Sequence, residues 1–441
     1  MRLRWLFLLL TISLVDIGSP IADPGHSKRH RNRGVSVLSG VGALGDSITA
    51  EQQFVGSRAN ARGFIEQLAE LRGINFGAFD PSRPGNQRAG YDYNWAIGGQ
   101  GVFRAGIDDL VDGLAGQIAS GDVTLAVINL ATIDLALRYS DIYSGSLSGV
   151  ELDDLINSIA GELINIVDRL ESAGDVRIVL GNCADFGVSF TVRDHPALTD
   201  PIGRMLFTQA AMTLNARIDD FADANGYPVL DIFNWANLGF SGLTIDGIFI
   251  DGSMYQNAVP NPDHFFEDSQ HPGSVAHGLL ANALLGAVND AWGEYTAPLS
   301  DQEIVLAAGL VPSGDGATYF PIDTFYHVNH APYADAGRSY RVGKHGSVWL
   351  SARRSYDFED DRTELSYEWD LDNDGVFDVS GERIRFTADD LGSKKIQRIR
   401  LKVTDTRGGS DIDFATVSRT GQGHTKRGPQ PPWGRQPKNR K

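Results

Sequence analysis

Between Val35 and Trp292, short and almost uninterrupted apolar runs take turns with stretches whose apolar residues recur every three or four positions. A strand that is apolar along its whole length must be covered on both faces, and the amphipathic stretches between such runs supply the helices that cover it. Strands are expected over Val37 to Leu44, Thr124 to Leu130, Val176 to Leu180 and Pro228 to Ile232. Helices are expected over Asn60 to Leu71, where Phe64, Leu68 and Leu71 share a face, and over Ile107 to Ile118, Leu152 to Leu170, Met205 to Ala224 and Gly273 to Trp292. The alternation predicts a parallel sheet clothed by helices, an α/β domain.

Beyond Trp292 the texture changes. A short helix is expected over Asp301 to Leu310, followed from about Asn329 by closely spaced alternating segments: Ser347 to Ser351, Leu365 to Asp370, Ile384 to Thr387, Gln397 to Thr404 and Phe414 to Ser418. Short strands with turn-rich links predict a small all-β sandwich. A chain of 441 residues with 42% hydrophobic composition can bury one large core and one smaller one.

The ends read differently from the body. Met1-Arg2-Leu3-Arg4 followed by the apolar stretch Trp5 to Val15 has the form of a secretory signal, too short to span a bilayer, with cleavage expected between Gly18 and Ala22. The chain is therefore expected to be secreted, to the exterior or the cell envelope, with no transmembrane anchor. Its single cysteine, Cys183, rules out an intramolecular disulfide and reads as a packed filler. The formal charge is −17, and both ends are basic, so the body is more acidic still. Such a body excludes nucleic acid as the natural partner. The expected organisation is a signal over 1–22, a basic linker over 23–34, the α/β domain over 35–296, a connecting segment over 297–328, the β-domain over 329–418 and a basic, Pro-rich tail over 419–441.

Two distant fragments carry chemistry. Gly45-Asp46-Ser47-Ile48 follows the first strand, and Asp268-Ser269-Gln270-His271 precedes the last helix. Both fall at the carboxyl edge of the predicted sheet, where loops converge on ligands. A serine hydroxyl needs a base to become a nucleophile, and an Asp three residues before a His can hold the imidazole in the useful tautomer. Asp194-His195 and Asp263-His264 are acid–imidazole neighbours without metal-binding spacing and read as loop or surface pairs. No dinucleotide or phosphate-loop fingerprint is present, so no organic cofactor is expected.

Once these residues are joined, residues 35–293 resemble the SGNH, or GDSL-type, ester hydrolases. The matching blocks are Gly42 to Thr49, Asn94-Trp95-Ala96-Ile97-Gly98-Gly99-Gln100, Gly181 to Gly187 and Asp268-Ser269-Gln270-His271-Pro272. The resemblance implies a flavodoxin-like three-layer fold, Ser47 as nucleophile, His271 as general base and acid, and Asp268 as its orienting partner. It also implies oxyanion donors at the backbone of Ser47 and Gly99. The family's G-x-N-D block is replaced by Ala131-Thr132-Ile133-Asp134, which removes the Asn side chain that would be the third donor. Asn182 is the substitute expected here, since Asn129 reads as strand interior. The implied substrate is an ester, a lipid or an acetylated carbohydrate. Ile133 keeps open a weakly active or purely binding protein, and acyl transfer to a glycan hydroxyl is a further alternative.

Asn329 to Gly337, Ser355-Tyr356-Asp357, Tyr367-Glu368-Trp369-Asp370 and Leu401 to Asp405 resemble the PKD domain, an immunoglobulin-like sandwich. That resemblance implies contact with an extracellular polysaccharide or protein. Asp370-Leu371-Asp372-Asn373-Asp374-Gly375 spaces carboxylates as a calcium loop begins, so Asp370, Asp372 and Asp374 are candidate ligands for a structural calcium; an Asp-rich turn is the other reading.

Overall fold

The computed structural model describes residues 36–52, 61–82, 90–195, 198–255, 262–314, 316–319, 325–337 and 339–420. The expected signal, the basic linker and all but the first two residues of the tail lie outside them.

Four parallel strands, β1 (Val41–Gly45), β4 (Leu125–Asn129), β5 (Arg177–Gly181) and β6 (Val229–Leu230), lie side by side in that order, and β10 (Tyr326–His327) adds an antiparallel edge beside β6. Between β1 and β4 the chain also makes a two-residue hairpin, β2 (Phe79–Asp80) with β3 (Gly90–Tyr91). On the free side of β1, Ala43 makes a single parallel bridge to Asn94. The parallel segments thus run in the doubly wound order 2-1-3-4-5, with position two reduced to one bridged residue.

Alternate strand residues feed two cores, as the two-residue period of a strand requires. Val41, Ala43, Leu125, Val127, Val179 and Leu230 face helices α1 (Phe64–Arg72), α8 (Ile232–Ser241), α9 (Ser274–Trp292) and α10 (Asp301–Ala307). Leu44, Ala126, Ile128, Ile178, Leu180 and Val229 face α2 (Ile107–Ser120), α5 (Val150–Ala173) and α7 (Pro201–Asn225). Each fully buried aliphatic side chain stabilises such a core by roughly 1.5–3 kcal/mol. Short helices α3 (Ala131–Ala136), α4 (Tyr139–Tyr143) and α6 (Phe190–Arg193) decorate the carboxyl edge.

Several boundaries differ from expectation. The run from Val37 begins as a 3₁₀ turn capped by the Ser36 hydroxyl, which accepts from the Leu38 amide, and the strand starts only at Val41. At Gly40 a Cβ would come within 1.8 Å of the Asp122 carbonyl oxygen, so the chain turns where only glycine fits. The connecting segment 297–328 holds the short helix expected there, α10, with a Ser300–Glu303 capping box, and adds the edge strand β10, which was not expected. A three-stranded sheet of β7 (Leu243–Ile245), β8 (Ile248–Tyr255) and β9 (His264–Phe266) was not anticipated. Its hairpin turns at Asp246-Gly247, both at positive φ, and Asp-Gly flanked by apolar residues is the sequence signal that announces it.

The remaining strands form two sheets around one core. β11 (Ser339–Val342), β17 (Ser410–Arg419), β16 (Ile396–Thr404), β13 (Ser366–Asp370) and β14 (Val379–Ser380) make one sheet; β12 (Ser347–Ser351) and β15 (Arg383–Thr387) make the other. Trp369, Phe386, Leu350, Ile399 and Leu401 from both sheets meet in the interior, and the Trp369 indole N–H donates to the Gly381 carbonyl at 2.9 Å. That bond satisfies the one polar atom a buried tryptophan brings with it.

Candidate active site

β1 ends at Gly45 and the chain turns at once. Asp46 shapes the turn: its amide donates to Asn129 O, its carboxylate accepts the Ile48 amide at 2.9 Å, and its carbonyl accepts the amides of Thr49 and Ala50. Ser47 is thereby lifted out, the one partly exposed residue between Val41 and Ala50. From below, Gln52 donates its side-chain amide to the Ser47 carbonyl at 2.8 Å and to Ala50 O at 2.8 Å. The Glu66 carboxylate in turn accepts the Gln52 amide. These supports left no motif-level trace in the sequence.

The opposing loop is closed by Glu267 N–H to His271 O at 2.9 Å and Gly273 N–H to Phe265 O at 2.7 Å, with Phe266 bridged to Pro272. It brings His271 Nε2 to 2.9 Å from Ser47 Oγ, across 224 residues of sequence. On the other side of the ring, Nδ1 lies 2.8 Å from both Asp268 carboxylate oxygens. Burial works against the charge on Asp268. The hydrogen bond and charge of His271, with the amides of Gln270 and His271, outweigh it and bring the pKa down to about 2. A carboxylate that remains ionised can only accept, so Nδ1 carries the ring proton and Nε2 is left to take one from the serine.

Beside the serine runs the third loop. Asn94 fixes it, donating to Thr49 O at 3.1 Å and accepting the Ala96 amide at 3.1 Å, while the Ile97 amide donates to Gly45 O. Ile97 O then accepts the Gln100 amide, closing a turn with Gly99 at φ +75°, a position that calls for glycine. A Cβ on Gly98 would be 3.8 Å from that of Ser47. Among the described residues, no acceptor takes the backbone N–H of Ser47, Gly98 or Gly99. A little further on, the buried Asp134 accepts the Val102 amide at 2.6 Å and the Phe103 amide at 3.3 Å.

Ile133 sits in α3, directly after β4, and offers no donor. Asn182 does not stand in for it. Its Nδ2 donates to Asp231 Oδ1 at 3.1 Å and its Oδ1 accepts the Phe233 amide at 3.0 Å, so its amide is engaged in tying β5 to the start of α8. Asn129 closes β4, with its Nδ2 3.3 Å from Thr49 Oγ1. Cys183 is fully buried, and burial pushes its thiol well above the ordinary range. His264 opens strand β9 instead of a surface loop, with Nδ1 3.0 Å from Asp263 Oδ1.

In the β-domain, one oxygen from each of Asp370, Asp372 and Asp374 lies within 4.8 Å of the others. Asp370 is already occupied. Its oxygens accept the amides of Asn373 and Gly375, and Arg400 sits against it at 2.6 Å. Asp372 and Asp374 accept the amides two residues on, of Asp374 and Val376. This is the bonding of an Asp-rich turn, with a guanidinium where a calcium ion would have to compete.

No family model matches the chain, and no curated protein is similar to it. Among solved structures it is similar to an extracellular lipase from Streptomyces rimosus, at 15% identity over 46% of this chain and 83% of that one, with a TM-score of 0.32. It is similar also to phospholipase A1 from Streptomyces albidoflavus NA297, at 14% identity over 57% of this chain and 99% of that one, TM-score 0.35. A structure described for carbohydrate-binding modules of the β-sandwich superfamily is 21% identical over 21% of this chain, with a TM-score of 0.17; the match spans 36% of that structure's length.

Proposed function

We propose that the chain is a serine ester hydrolase of the SGNH type, acting through an acyl-serine intermediate, with a PKD-like accessory domain. The observation that carries this reading is the unbroken line Asp268–His271–Ser47, with contacts of 2.8 and 2.9 Å, beside a loop of free backbone amides. In the first step Nε2 of His271 takes the proton as Ser47 Oγ attacks the ester carbonyl. The imidazolium that forms is stabilised by Asp268, and its proton passes to the departing alkoxide. Water then enters, His271 removes its proton, and the acyl group leaves Ser47 as a carboxylic acid. The oxyanion is held by the N–H groups of Ser47 and Gly99, which need no reorganisation to receive it.

With Ile133 in place of a side-chain donor, this oxyanion site has two donors instead of three. One such donor contributes about 10²–10³-fold to turnover in enzymes built around it. A slow esterase is the expected consequence, and the binding and acyl-transfer alternatives both remain readings of the same cleft. Hydrolysis of short-chain aryl esters by the purified chain, beside its Ser47→Ala variant, tests the proposal. The variant is expected to lose about 10³-fold or more of the activity. Full activity in Ser47→Ala would refute the nucleophile assignment, and product analysis with a glycan acceptor separates transfer from hydrolysis.

A further inference from the structure

A cavity of about 320 Å³ opens beside the catalytic loop without including any of the catalytic residues. Val188, Met205 and Phe240 give it apolar walls, and Arg193, Arg204 and Asn237 give it polar ones. Its size is at the lower end of what small-molecule sites need, and its mixture of apolar lining with a few polar groups is their usual composition. Arg193 lies on α6, the same short helix whose Thr191 bonds to Ser269, amide to carbonyl at 3.3 Å and hydroxyl to hydroxyl at 2.8 Å. Ser269 stands between Asp268 and His271. The cavity wall and the catalytic loop are thus one connected structure.

The two arginines differ in what they already hold. Arg193 is spoken for: its guanidinium stacks 4.1 Å over Phe190, donates to Asp194 at 3.2 Å and reaches Ser253 O at 3.3 Å. Arg204 is half-buried on the first turn of α7 and has no ion pair or side-chain hydrogen bond among the described residues. Asp200 accepts the Ile202 amide at the helix start, and Asp185 accepts the Thr208 hydroxyl and the Gly187 amide, both from residues that line the cavity; neither acid forms an ion pair with Arg204. A half-buried guanidinium at a cavity with apolar walls is a costly arrangement unless an anion completes it. Of the apolar lining residues, Met205 is 51% exposed and presents its side chain to solvent.

We propose that this cavity binds an amphiphile with one anionic group, a phosphate or a carboxylate, paired with Arg204 while its hydrocarbon part lies on Val188, Met205 and Phe240. The further statement that the ester substrate itself carries this anion rests on the ester-hydrolase reading; the binding statement does not.

The test uses the full chain as Ser47→Ala, titrated calorimetrically with octyl phosphate, octanoate and neutral octyl glucoside below their micelle concentrations. At least one of the two anions is expected to bind about tenfold or more tighter than the glucoside, the range of one charge-assisted contact. Arg204→Gln should erase that preference, and Arg204→Lys should keep part of it, with unchanged circular dichroism in both. Preference for the phosphate over the carboxylate points to a phosphate-ester headgroup, and the reverse to an acidic acyl chain. Equal binding of the three, no binding, or a preference that survives Arg204→Gln would overturn the proposal. If the anion binds but the Ser47 enzyme cleaves no ester, the hydrolase reading fails and the cavity stands; if esters are cleaved but the anions do not bind, the reverse holds.

Discussion

Asp268 shows how one carboxylate serves both fold and chemistry, since it closes its own loop through two amides while fixing the tautomer of His271. Asp268→Asn keeps the shape but presents a neutral side chain that can donate to Nδ1 and reverse the tautomer. The expected loss in kcat is about 10²–10⁴-fold with KM little changed, measured on a soluble aryl ester. Because its pKa is lowered to about 2, its contribution to stability is present above the ordinary carboxylate range and is lost as pH falls from about 4 towards 2. Glu51, four residues past Ser47, behaves in the opposite way. Burial raises its pKa to about 7, against the pull of the Tyr91 amide it accepts at 2.9 Å. The protonated form is favoured in the fold, so stability is full below about pH 4 and declines as pH rises through 7. Glu51→Gln should therefore raise the melting temperature by several degrees at pH 8 and leave it nearly unchanged at pH 4. The upper bound from the pKa displacement is on the order of 3 kcal/mol. Scanning calorimetry at the two pH values checks it.

At the scale of elements, the Asp-rich turn after β13 poses a choice between an ion and an arginine. Asp370 is buried and its partner Arg400 reaches it from the neighbouring strand β16. Removing one member of a buried pair leaves the other uncompensated, at a cost of about 3–5 kcal/mol. Arg400→Ala should lower the melting temperature of the β-domain far more than Asp372→Ala, and a chelator should leave the wild type unchanged. A melting temperature that rises with added calcium would reverse that assignment. The same scale shows why Asn182 was a poor substitute for the missing donor. Its position just past a strand end is where a donor could stand, but the amide is needed to satisfy the part-buried Phe233 N–H in the first turn of α8. Spacing along a chain gives the edge of the sheet on which a residue falls. It does not give the partner that its side chain meets there.

For the molecule as a whole, the β-domain contacts the ends of α9 and α7 that lie away from Ser47 and His271. α9 starts beside His271 and ends near Asp290, whose carbonyl lies 3.2 Å from His330 Nε2; at 1.5 Å per residue its 19 residues span roughly 28 Å. The end of α7 makes a matching contact, Asn329 Nδ2 to Asp223 O at 3.2 Å, with Asn329 also bonded to Asp405. The described part of the β-domain therefore holds on to the far end of the helices that frame the site. His330 is one titratable group of this junction, beside Asp223 and Asp405. Burial opposes its charge, but the Glu359 carboxylate at 2.5 Å and the Asp290 carbonyl outweigh burial and raise its pKa above the ordinary imidazole value. Its contribution is full below about pH 6.5 and lost as pH rises through the raised value. The difference in melting temperature between wild type and His330→Ala should be widest near pH 5–6 and narrow towards pH 9. Hydrolysis of a small soluble ester should be unaffected by that substitution at any pH.

The sequence by itself determined the layering, because apolar runs such as Thr124 to Leu130 and Val176 to Leu180 can be buried on two faces only inside a helix-covered parallel sheet. It also determined which edge would hold Ser47 and His271, since strand direction fixes where each following loop emerges. The tertiary structure alone decided the rest: the distance of 2.9 Å between those two groups, the engagement of Asn182 with Asp231, the recruitment of 326–327 as a fifth strand, and a guanidinium of Arg204 with no ion pair among the described residues. Periodicity is a property of neighbours in the chain, whereas a hydrogen bond across 224 residues depends on how every intervening element packs.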